Sequence, residues 1–201
     1  MIVKRLVYTL EKNGFDGNQF VYLKNCSCIQ DVLCLAEIIK NNLLNGKFTG
    51  VLFFDLTDAF GSANRNKLLY KLSKDFGISG KLLLYLVDFL SSRYARVTVN
   101  ELVGEWISSE WGTSAGTVLG AVLFISYVHD TPSCIQPKFA DDFVCHTVGE
   151  NVAMVIAGLQ QGLAELVELS IKLDTTLNVK QTKAMLFGRK VDEALNLSNL
   201  H

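Results

Sequence analysis

The sequence predicts an α+β fold in which a largely antiparallel sheet is backed by helices on one face. Three observations carry this. Short apolar runs bounded by turn residues interleave with segments of helical periodicity. The strands near the middle of the chain fall into hairpins rather than crossovers, which makes the sheet antiparallel. Of the 201 residues, 49% are hydrophobic and 19% charged, enough to bury a sizeable core.

The elements follow in order. "MIVKRLVYTL" is too short, and charged too early, for a signal peptide. "SCIQDVLCLAEIIKNNL" spaces Ile29, Val32, Leu33, Ala36, Ile39 and Leu43 along one helical face, with Ser27 as cap and "NGK" at 45–47 as stop. "FTGVLFFDL" (48–56) reads as a buried strand. "NRNKLLYKLSKDFG" and "SGKLLLYLVDFLSSR" are two helices, broken at Gly77 and restarted at Ser79. Residues 94–110 resemble a hairpin turning at Gly104. "GTVLGAVLFISYVHD" is apolar, and Trp111–His129 holds no Asp, Glu, Lys or Arg. Its small, polar first half favours a buried core helix over a membrane span of about 20 apolar residues. "PKFADDFVCHTV" forms a hairpin with its acidic pair at or near the turn. Val152, Val155, Ile156, Leu159, Leu163 and Val167 mark a further helix, and "KLDTTLNVKQTKAMLFGRK" reads as two strands with a basic connection.

A net charge of −1 gives no overall field toward nucleic acid, so a polyanion would need local basic patches. Cys26, Cys28, Cys34, Cys134 and Cys145 include no C-x-x-C pair, which argues against zinc and for reduced thiols in an intracellular protein, nuclear or cytoplasmic.

The chemistry centres on two acidic clusters. Asp141 and Asp142 stand together between apolar pairs, and "FFDLTDAFGS" places Asp55 at a strand end with Asp58 one turn later. Taken singly, an Asp there caps a turn or helix. Taken together, carboxylates converging at strand ends offer hard oxygen ligands suited to Mg²⁺ and substrate phosphates. Two such ions can serve an in-line displacement.

"FFDLTDAFGSANRNKLLYKL", "GISGKLLLYLVDFLSSRYARVTVN", "GTSAGTVLGAVLFISYVHD", "KFADDFV" and "LNVKQTKAMLFG" occur in that order. Over nearly its whole length the chain resembles the reverse transcriptase domain of non-LTR (LINE-like) retrotransposons. The resemblance implies a right-hand polymerase palm, with partial fingers at 1–47, palm at 48–201, and fingers-like helices and hairpin inserted at roughly 64–110. It further implies that the thumb and endonuclease are absent, as in a fragment.

The resemblance implies roles residue by residue. Asp55 and Asp141 would ligate two Mg²⁺ ions, with Mn²⁺ as the alternative, beside Asp142; Leu56 would offer a carbonyl. Asp58 and Ala59 would approach the triphosphate through backbone N–H groups, and Phe60 would lie under the sugar, its alternative reading being a core aromatic. Lys180 and Lys183 would stand near the triphosphate, or on a solvated strand end, and Lys24 would serve template and fingers. Ala115 and Gly116 occupy the nucleotide-binding turn, where Ser114-Ala115-Gly116 replaces the family's "PQG" and Ala115 offers no hydrogen bond. Ala121 replaces a proline, Val21 a glycine, Leu23 and Cys26 arginines, and Gln181 a lysine. Arginine's bidentate phosphate contacts have no equivalent in Leu or Cys. The implied function is RNA-directed DNA polymerisation on an RNA or DNA template with primer and dNTP, without a membrane partner. Set against it are an inactive palm fragment retaining nucleic-acid binding, and a template-free, metal-dependent phosphohydrolase.

Overall fold

The structure, a computed structural model, describes residues 2–15, 28–132, 135–139 and 142–188. Along the chain these form α1 (Ile2–Lys12), α2 (Cys28–Leu44), β1 (Phe48–Thr57), α3 (Ala59–Ser62), α4 (Arg65–Lys74) and α5 (Gly80–Leu90). There follow β2 (Arg93–Ala95), β3 (Thr98–Val99), β4 (Leu102–Val103), β5 (Ile107–Ser109) and α6 (Val118–Tyr127). The chain continues through β6 (Ile135–Phe139), β7 (Asp142–Gly149), α7 (Val152–Lys172), β8 (Thr176–Leu177) and β9 (Lys183–Phe187). The α+β class expected from the sequence holds, and all strand pairs are antiparallel.

The chain divides into two compact units. One comprises Met1–Asp16 and Asp58–His129, the other Gly17–Thr57 and Asp130–His201. The second holds the sheet, in the order β6-β7-β1-β8, with β9 also pairing β1. β1 is an apolar run, and its central place leaves Val51, Leu52, Phe54 and Leu56 buried. β6, which carries Pro137, is an edge strand, where a missing N–H costs no ladder bond. α7 lies along one face: a Cβ on Gly50 would strike Val155 and Leu159, and one on Gly162 would strike the Cys145 sulfur. Helix and sheet therefore approach at glycine positions, and Phe54 stacks on Phe143 with centroids 5.4 Å apart.

The other unit is built around α6, whose Leu119–Tyr127 are all buried. Ten residues are too few to span a bilayer, so the uncharged stretch is a core helix as expected. Thr117 caps it by accepting from Gly120 N at 2.9 Å. At its other end Lys71, 7% exposed, donates to the Tyr127 carbonyl at 2.6 Å, where a cation meets the negative end of the helix dipole. α1 also packs on α6, burying Leu6 and Leu10.

Three expectations need correction. The 94–110 segment is two nested ladders, β2–β5 outside β3–β4, and it turns at Asn100-Glu101 rather than Gly104. Both turn residues have positive φ (45° and 68°), the geometry a two-residue hairpin loop demands. On α7 the buried stripe is Val155, Leu159, Gly162, Leu166 and Leu169, while Val167 is exposed. Gly162 draws that side of the helix onto the sheet. On α2, Ile29, Val32 and Leu33 are exposed, because periodicity specifies a stripe and not what covers it. α7, at 21 residues, is long and apolar enough to cross a membrane by length and composition, yet that stripe packs on the sheet.

Candidate functional site

In the sheet unit, β1 and β7 bring two acidic residues face to face. Register pairs Phe54 with Phe143 and Asp55 with Asp142. Alternation turns the phenylalanines toward α7 and the aspartates to the opposite face. Directly opposed residues of a ladder lie within about 5.5 Å at Cβ, so two like charges there repel. Asp142 records this: partial burial, and after it the charge of Asp55, raise its pKa above the ordinary carboxylate range.

Asp55 is held from the β8–β9 side. Asn178 N donates to the Asp55 carbonyl at 2.9 Å, and Asn178 Nδ2 reaches Asp55 Oδ2 at 3.4 Å. The same amide group donates to Gln181 Oε1. Gln181, where the resemblance expects lysine, thus helps orient the amide that steadies Asp55. Sequence reasoning assigned Asn178 no role, and its only signal was a polar residue at the turn after β8. Leu56, beside Asp55, is buried and pairs with Leu177. Lys180 lies exposed in that turn, and Lys183 is exposed on β9 opposite Phe53.

Asp141, the third carboxylate of the expected set, and Lys24 lie outside the described residues, as do Ser27, Val21, Leu23, Cys26 and Cys134. Among the described residues no group of three or more His, Cys, Asp or Glu gathers for a metal. Asp55 and Asp142 are opposed carboxylates, and mutual repulsion of that kind is what a divalent ion relieves.

The other unit begins at Asp58, in the left-handed region at φ 46°, ψ 49°. It occupies the N-cap position of α3 but makes no side-chain cap bond. Its carboxylate instead lies against Gly61, where a Cβ would collide with both oxygens. Capping therefore does not explain Asp58. Ala59 is buried, and Phe60 is half-buried with its ring centroid 4.5 Å from that of Phe124. The Phe60 carbonyl accepts from Thr113 N at 2.9 Å, which ties this turn to the segment before α6. There Ala115 and Gly116 form an exposed turn, with Ser114 at φ 67° and Gly116 at φ 81°.

Arg65, another residue without a sequence-assigned role, fastens the hairpin base. It donates to the carbonyls of Gly112 (2.9 Å), Trp111 (2.6 Å) and Ser109.

The family described as reverse transcriptase (RNA-dependent DNA polymerase) matches residues 1–198. No curated protein sequence matches the chain. Among solved structures, apo telomerase from Candida tropicalis truncated from its C-terminal domain is similar at TM-score 0.62 and 13% identity, over 95% of this chain and 41% of that one. A second structure of apo telomerase from Candida tropicalis gives TM-score 0.59 at 12% identity, over 92% and 36%. Telomerase from Candida albicans in complex with the TWJ fragment of telomeric RNA gives 0.57 at 12%, over 96% and 34%. At such identities the likeness is one of fold, and the chain spans about two fifths or less of those proteins' length.

Proposed function

The chain belongs to the reverse transcriptase (RNA-dependent DNA polymerase) family, and on that premise we propose that it is a polymerase palm of the non-LTR retrotransposon type, extending a DNA primer on an RNA or DNA template. The observation that carries the reading is the opposition of Asp55 and Asp142 across β1 and β7. With Asp141, these carboxylates would hold Mg²⁺. When bound, the metal supplies Lewis-acid stabilisation of charge developing on the transferring phosphoryl group.

The chain's own residues do the rest. Asn178 holds the Asp55 carboxylate in place, so that its lone pairs are already aimed when substrate arrives. The raised pKa of Asp142 marks a carboxyl whose negative charge is disfavoured until a cation compensates it. Backbone N–H groups around Asp58 and Ala59, and the turn at Ala115-Gly116, would meet the triphosphate. Phe60 would lie under the sugar, its ring braced by Phe124. Lys180 and Lys183 are exposed cations available to phosphate oxygens.

Primer extension with Mg²⁺ tests this reading. Asp55→Asn is expected to lower the rate about a hundredfold or more, since the metal's contribution is worth several kcal/mol. Extension by Asp55→Asn at the unsubstituted rate would sink it. A second reading, an inactive palm that retains nucleic-acid binding, is favoured by one observation. The turn before α6 presents the bare methyl of Ala115 where the resemblance expects a hydrogen-bonding glutamine. Oligonucleotide binding with neither carboxylate-dependent Mg²⁺ binding nor extension would select it.

A further inference from the structure

We propose that a cleft in the helix-and-hairpin unit binds the phosphodiester backbone of a single-stranded nucleic acid, with Tyr94 and Trp111 offering ring faces to the bases. The cleft, about 470 Å³, lies between the N-terminus of α4, the C-terminus of α5 and the β2–β5 ladder. That volume is within the range of small-ligand clefts, ~300–1,000 Å³. Two guanidinium groups line it. Arg65 is pinned by the hairpin carbonyls, and Arg93 donates to Ser114 Oγ at 2.9 Å while lying 5.0 Å from the Phe89 ring centroid. Neither has a carboxylate partner among the described residues. Glu110, the acidic residue on the lining, pairs with neither.

The two arginines are close enough to oppose one another. Burial first, and then the Arg93 charge, lower the pKa of Arg65. Hydrogen bonds to backbone carbonyls hold the Arg65 guanidinium without cancelling its charge, so an anion placed between the pair gains from both. Ser92 and Ser108 supply neutral hydroxyls on the same lining. The aromatic groups decide which anion. Tyr94 and Trp111 are 62% and 48% exposed on the lining, and flat exposed rings beside arginine form the stacking platform of single-strand binders. A phosphodiester carries one charge per residue and brings a base to each side. A free triphosphate would bring several charges and leave one ring unused.

The proposal rests on the polymerase reading only for its choice of polymer, and its test omits the metal so that the two can fail separately. A fluorescently labelled single-stranded oligonucleotide is titrated with the chain in EDTA, by anisotropy, at several salt concentrations. Arg93→Gln is expected to weaken binding about tenfold and to lower the salt slope by about 1, with Arg93→Lys recovering most of the slope. Trp111→Ala should weaken it about fivefold or more. In a Trp106→Phe background, oligonucleotide should quench the remaining Trp111 emission. Unchanged affinity in folded Arg93→Gln and Trp111→Ala, or an unquenched Trp111, overturns the proposal. Displacement of the oligonucleotide by inorganic phosphate or dNTP at matched phosphate concentration also overturns it, because it would make the cleft a small-anion site.

Discussion

The two units position polar groups by different devices. In the sheet unit, a carboxylate's place is set by register. Asp55 sits across from Asp142 because Phe54 sits across from Phe143, and a slip of one residue would turn the aspartates toward α7. In the helix-and-hairpin unit no long ladder does this work. Turns with positive φ at Asp58, Asn100, Glu101, Ser114 and Gly116 set the backbone, and the Arg65 guanidinium ties the hairpin base through carbonyl oxygens. The first device is buried and tolerant of surface change. The second depends on a few side chains, so the departures from the family pattern at Ala115 and Ala121 fall where there is less redundancy.

That contrast can be broken at its weakest point first. Arg65→Ala removes at once the guanidinium's hydrogen bonds to the Ser109, Trp111 and Gly112 carbonyls. Since bonds from a charged donor are worth about 1.5–3 kcal/mol each and do not add fully, a loss of about 2–3 kcal/mol is expected. Urea unfolding measures it, and amides 107–111 should exchange faster. An unchanged midpoint would show that the turns alone hold the hairpin. In the ladder, Asn178→Ala should leave stability nearly intact but weaken Mg²⁺ binding about tenfold, as loss of a group that orients a ligand does. Isothermal titration reads this directly, and equal affinity would mean that the strand register suffices to aim Asp55.

The smallest effect concerns Asp142. Its folded pKa is raised, so the folded state holds the proton more tightly than the unfolded chain. The resulting stabilisation is complete below the ordinary carboxylate range and is lost as pH rises through the raised value. Without divalent cation at neutral pH, Asp142→Asn should therefore be more stable, by at most about 1 kcal/mol given its exposure. The gain should vanish below about pH 4. Thermal unfolding at both pH values checks the sign. Adding Mg²⁺ should stabilise the unsubstituted chain more than the variant.

Much of this was legible in the residues. Alternation and apolar runs located β1, β7 and α6, and the acidic doublet announced itself by its cost. Gly77 and Ser79 marked the break between α4 and α5. Arg65 was not legible, because its partners are carbonyl oxygens that every residue carries and sequence cannot distinguish. Asn178 was hidden for a different reason: its partner Asp55 lies 123 positions away. The inward stripe of α7 was read one step off, since Gly162 counts for nothing in a hydrophobic pattern yet permits the closest approach to the sheet.

The sequence by itself determined most of the strands and helices and singled out the carboxylates expected at a metal, because periodicity and the cost of burying charge act locally. Only tertiary structure decided that Asp142 faces Asp55, that Gln181 supports Asn178, and that Arg65 and Arg93 share a cleft in which neither pairs with a carboxylate among the described residues. Those relations depend on strand register and on chain reversals, which bring together groups whose attraction or repulsion has no trace in their spacing along the chain.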